Sequence, residues 1–115
     1  MKTGSCHCGA VKFTVEGEPG KAIECNCSHC SRKGFLLWFV PRSDFALAAG
    51  EDSLRSYTFN KHAIQHRFCT QCGTQAFAYG RNPKDDSEIV AVNIRCLDDV
   101  DLDAVERVPV NGREF

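Results

Sequence analysis

CTQCGT, Cys69 to Thr74, is half of a site whose other half is CHCGA, Cys6 to Ala10. Each cysteine pair is followed at once by a glycine, Gly9 and Gly73. Glycine reaches positive φ without a Cβ clash, so the backbone can fold back and aim N–H groups at thiolate sulfur. The two stretches read as half-sites of one closed tetrahedral thiolate site made by Cys6, Cys8, Cys69 and Cys72. Such a site ties the N-terminus to a turn far along the chain. Its contribution would be stability, because a small β domain has a limited core.

ECNCSHCSRKG, Glu24 to Gly34, has a different form. Cys25 and Cys27 share one face if the segment is extended, and Cys30 returns through a tight turn. Three protein ligands with one open position is the arrangement of a catalytic zinc. Other readings stay open: Cys96 as a fourth ligand, His29 in place of a cysteine, or a trio free of metal. Cys96 otherwise reads as a buried small hydrophobe.

The chain has 115 residues and eight cysteines, a net charge of −1 and 43% apolar residues. That describes one domain, residues 1–115, with enough apolar side chains for one core. No basic block points to nucleic acid. The longest apolar run, Phe35 to Val40, is far short of the roughly 20 residues of a membrane span. The motifs begin at Gly4, leaving no room before them for a signal peptide, so the expectation is a cytoplasmic, reducing location. Closely spaced thiols then point to metal rather than disulfides. Nothing in the sequence sets the oligomeric state.

Periodicity predicts a mainly β chain of short antiparallel sheets with only short helical turns. AVKFTVEG alternates Val11, Phe13 and Val15 against Lys12, Thr14 and Glu16. KAIEC leads into the second cluster. FLLWFVP and EIVAVNI read as buried strands, the first ended by Pro41. SLRSYTF, AIQHRF and TQAFAYG supply further strands. SHCSRKG fits one helical turn capped by Ser28, and RSDF another. VNGREF contains an Asn-Gly turn.

Three thiolates around Zn²⁺ leave a site charge of about −1, a poor activator of water. A thiol, with a pKa of about 8.5 against roughly 15.7 for bulk water, needs much less help to ionise. The substrate suited to the trio is therefore a thiol presented to an electrophile. The glutamate motif of nucleobase deaminases and the His-Glu-x-x-His of metalloproteases are both absent.

The pieces GSCHCGAVKF (4–13), CNCSHCSRKG (25–34), FCTQCGT (68–74) and VNIRCLDD (92–99) resemble the glutathione-dependent formaldehyde-activating enzyme (GFA) family, whose domain is shared with centromere protein V. The resemblance implies a zinc-binding β-tent fold and a carbon–sulfur lyase of the S-(hydroxymethyl)glutathione synthase type, joining glutathione or a related thiol to formaldehyde. It implies structural-zinc ligands Cys6, Cys8, Cys69 and Cys72, and catalytic-zinc ligands Cys25, Cys27 and Cys30. The expected cofactor is Zn²⁺ at two sites, the second open to partial occupancy. The expected partners are a small thiol and an aldehyde, with no nucleic acid and no membrane.

Arg32, Lys33 and Arg95 are candidates to pair with the two carboxylates of glutathione, against a reading as solvated surface charge. His29, His62 and His66 are candidate proton donors, beside water; His7, inside a structural turn, is a weaker one. Trp38, Phe35 and Phe39 suit core packing better than a pocket wall. Two other functions compete with the lyase. One is a non-catalytic zinc module that binds or carries glutathione or a protein. The other is a reductase using Cys96 as its metal-free thiol.

Overall fold

The structure, a computed structural model, describes residues 1–59 and 63–112. The chain is mainly β. A three-stranded antiparallel sheet holds β1 (Lys2–Ser5), β2 (Lys12–Val15) and β5 (Phe45–Ala49), in the order β1-β2-β5. A seven-stranded sheet adds β3 (Lys21–Cys25), β4 (Leu37–Pro41), β6 (Leu54–Tyr57), β7 (Gln65–Cys69), β8 (Gln75–Arg81), β9 (Glu88–Asn93) and β10 (Glu106–Val110). Its order is β10-β3-β4-β9-β8-β7-β6. The helical parts are α1 (Ser28–Lys33) and 3-10 turns at Arg42–Asp44, Glu51–Ser53 and Ile94–Cys96. Among the described residues no helix is long and apolar enough to cross a membrane.

The alternation in β2 buries Val15 and Phe13 and leaves Lys12 exposed, as a strand half-covered by a second layer should. Phe13 stacks on Phe45 with ring centroids 5.5 Å apart. Phe77 of the larger sheet meets Phe45 at 4.7 Å and Phe13 at 6.1 Å. This aromatic triangle joins the two sheets. Burying one such ring stabilises by about 1.5–3 kcal/mol, whereas an exposed ion pair such as Lys21 with Glu106 contributes about 0–1 kcal/mol.

Two expectations need correcting. The sheets are not purely antiparallel, because β10 runs parallel to β3, with Glu106 opposite Lys21 and Val110 opposite Cys25. The segment between them is long enough for the crossover that parallel pairing requires. Secondly, the continuous apolar runs of β4 and β9 are not covered by core on both faces. Trp38, Val92 and Phe77 lie in register across three strands, and Val40, Val90 and Tyr79 do likewise; these face the core. The intervening row is Phe39, Ala91, Ala78, His66 and Tyr57. It lies on the opposite face, because side chains alternate along each strand. Phe39 is accordingly 49% exposed, while Trp38 packs against the main core.

Candidate metal centres

The first cluster is built where two strand ends meet. Cys6 follows β1, and Cys69 ends β7, whose turn into β8 carries Cys72. Gly9 and Gly73 have φ of 82° and 81°, the left-handed conformation these turns require. The amides of Val11 and Gln71 donate to the Sγ atoms of Cys6 and Cys69, each at 3.4 Å. Cys8 Sγ lies 3.7 Å from both Cys6 Sγ and Cys69 Sγ, and all four sulfurs lie within 4.8 Å of one another. Zinc–sulfur bonds of about 2.3 Å in a tetrahedron place sulfurs about 3.8 Å apart, so the donor set fits that ion. A hydrogen bond from the Thr74 side chain, aided by backbone N–H groups, pulls the Cys72 thiol down to about 5.

The second cluster joins β3 to α1. Cys25 ends β3, Cys27 is extended at φ −61° and ψ 163°, and Cys30 lies in α1. The sequence pointed to Ser28 as the helix cap. The cap is instead Cys27, whose Sγ accepts the Cys30 amide at 3.3 Å. A sulfur thus does what a hydroxyl commonly does. Gly34 ends the helix in the left-handed conformation, φ 68°, its N–H bonded to Cys30 O. The three sulfurs lie within 4.8 Å of one another, and among the described residues no other histidine, cysteine, aspartate or glutamate joins the group. Burial pushes the Cys30 thiol up, so holding it as thiolate takes a cation nearby.

The segment after β10, Asn111 and Gly112, comes back over this cluster. Asn26 Nδ2 donates to Asn111 Oδ1 at 2.9 Å. A Cβ on Gly112 would collide with Cys25 Sγ and lie 3.1 Å from Cys27 Cβ. In the sequence Gly112 reads only as part of an Asn-Gly turn, with no signal of this approach.

Cys96 is not part of the trio. It packs against the main core near the first cluster. Burial, and then the negative charge of Cys6 and Cys72, push its thiol up to about 11. All eight cysteines are free of disulfides.

Beside the trio lies a cavity of about 820 Å³, within the range of small-molecule sites. Cys25, Cys27 and Cys30 form one end. The floor is the second face of the large sheet, where Ala78, Gly80 and Ala91 leave room that larger residues would fill. Phe35 and Phe39 line it too, so both serve the pocket that the sequence assigned to them less readily than the core. His66 lines the wall, its Nδ1 facing the Gln75 Nε2 at 3.3 Å. An amide nitrogen can only donate, so Nδ1 accepts and the ring proton sits on Nε2. Desolvation, with the neighbouring His29 and Lys33 adding to it, pushes His66 down to about 4. His29 lies tilted against His66 with centroids 4.2 Å apart, and among the described residues neither of its ring nitrogens has a hydrogen-bond partner. His62 lies outside the described residues, and His7 is exposed on the first cluster's turn.

None of the three basic candidates lines the cavity. Arg32 donates back to Ser28 O at 2.8 Å and Arg95 to Gly34 O at 3.0 Å. Lys33 is exposed. Among the described residues lining the cavity, the one arginine or lysine is Arg81, which the sequence did not single out.

The family model described as glutathione-dependent formaldehyde-activating enzyme matches residues 1–109. The chain belongs to the glutathione-dependent formaldehyde-activating enzyme family. A crystal structure of a Rhodobacter sphaeroides protein is similar in fold, with a TM-score of 0.78 and 30% identity over 92% of this chain and 99% of that one. Within this family member, both cysteine groups could hold a metal ion.

Proposed function

We propose that the protein is a zinc-dependent carbon–sulfur lyase of the S-(hydroxymethyl)glutathione synthase type, adding glutathione or a related thiol to formaldehyde. The observation that carries this reading is the three-sulfur cluster opening directly into a small-molecule cavity. Cys6, Cys8, Cys69 and Cys72 would hold a structural zinc, and Cys25, Cys27 and Cys30 a second. A zinc ion at the trio supplies positive charge that favours the thiolate form of a substrate thiol.

The chain's own groups then set the geometry. The cavity floor positions the body of the thiol and keeps water from its sulfur. The sulfur lone pair forms the new bond to the aldehyde carbon, the carbonyl π pair moves to oxygen, and that oxygen takes a proton. Water takes up the proton the thiol releases and returns one to this oxygen, while His66, as a neutral N–H donor, suits hydrogen bonding to the developing oxyanion. Gln75 fixes its tautomer, and its low pKa keeps it uncharged at neutral pH. Free thiols throughout suit a reducing cytoplasm.

Because thiol and formaldehyde also combine unaided, the test is a rate. NMR exchange spectroscopy would follow hemithioacetal formation with and without the two-zinc protein. Acceleration that disappears in Cys27→Ser, with the other zinc retained, supports the lyase. Thiol binding with the spontaneous rate unchanged would make the protein a thiol carrier.

A further inference from the structure

Beyond His66, Gln75 and Ser28, much of the cavity's floor and walls is Ile23, Leu37, Phe39, Ala78, Ile89 and Ala91 together with Phe35 and Phe59. These eight are uncharged and apolar. Glutathione brings two carboxylates and an ammonium group, and each buried charge needs a partner. The described lining offers one basic side chain of fixed charge, Arg81. That guanidinium is already engaged: Nη1 donates to Asp86 O at 3.1 Å and lies 3.8 Å from Asp86 Oδ2, and Nη2 lies 3.7 Å from Glu88 Oε1. Each of its terminal nitrogens thus already faces a carboxylate of the chain itself. Three thiolates around a divalent ion would leave the trio's end negative by about one charge. Among the described lining residues an anionic body finds no unengaged cation; the exposed Lys33 stands outside that lining. An apolar body meets a surface it can bury against.

Resting on the reading of the trio as a thiol-binding centre, we infer that the thiol it takes carries an uncharged aryl or alkyl body rather than the charged tripeptide body of glutathione. The thiol head reaches the cysteine cluster. The body lies on the Ala78–Ala91 floor, and the phenylalanines enclose it. Small residues at the centre of the floor set the width of the group accepted.

Isothermal titration of the metal-loaded, reduced protein with benzyl thiol, 2-mercaptoethanol and glutathione tests this. Benzyl thiol should bind at least about tenfold tighter than either of the others, as burial of a ring predicts. Glutathione binding as tightly as benzyl thiol, or more tightly, overturns the inference and leaves the thiol-binding centre standing. Silence from all three thiols removes the centre and the inference with it. Ala91→Leu narrows the floor: affinity for benzyl thiol should fall about tenfold with metal content unchanged. Unchanged affinity in that variant would place the ligand off this floor and overturn the inference. The wild-type ranking decides the matter even if the variant does not fold.

Discussion

Gly112 has no side chain at a point where one would strike Cys25 Sγ. The strand that brings it there, β10, ends beside the trio, and the Asn111–Asn26 hydrogen bond holds the exit. Gly112→Ala must therefore move the tail or the sulfur. We expect metal affinity at the trio to fall about 10–100-fold, the scale of losing support around a metal ligand. A competitive chelator assay with zinc would measure it. The first cluster should hold its metal as before, since the close neighbours of Gly112 are Cys25 and Cys27. The cysteines themselves were legible in the sequence, because short spacing and a following glycine are local facts with local geometric meaning. Gly112 was not, because its role depends on a parallel pairing between segments far apart in the chain.

His66 belongs to a row that crosses five strands, from Phe39 on β4 to Tyr57 on β6. The ring is buried and its pKa falls from the ordinary 6.5 to about 4. Below pH 6.5 the unfolded chain binds a proton that the folded chain refuses. Stability present above that pH is then lost as pH falls toward 4, by about 1–2 kcal/mol after allowing for partial solvation. His66→Phe keeps the aromatic volume and removes the proton. Its stability relative to wild type should rise between pH 7 and pH 5 in urea denaturation. Metal release at low pH affects both proteins alike and cancels in the difference.

The same row shows where pattern reading stops. A run such as FLLWFVP looks alike whether its second face meets more chain or lines a hollow. The strands β1, β5 and β10 gave no signal, for separate reasons. KTGS lacks alternation, FALAA is rich in alanine, and ERVPV contains a proline that argues against a strand. Pairing partners, not propensity, make them strands.

At the scale of the molecule, the first cluster joins the small sheet through Cys6 to the large sheet through Cys69. Nearby, Asp98 N–H donates to Thr3 O at 2.9 Å and the Thr3 hydroxyl to Asp98 Oδ2 at 2.8 Å. The trio, by contrast, serves one end of the large sheet. Graded chelation should therefore proceed in two steps. The first metal should leave with the far-UV circular dichroism intact. Loss of the second should lower the melting temperature by about 10 °C or more, since structural zinc contributes directly to folding free energy. Simultaneous loss of both metals and structure would contradict this division of roles.

β10 has one further consequence, for life at high concentration. Its Val110 carbonyl accepts the Asn26 amide, so in regular strand geometry Pro109 turns its own nitrogen outward, toward the sheet's open margin. There it presents no hydrogen to a visiting strand. The margin thus resists templating fibres or swapped pairs. Pro109→Val would restore the missing donor, and light scattering should then rise with protein concentration while the wild type stays clear.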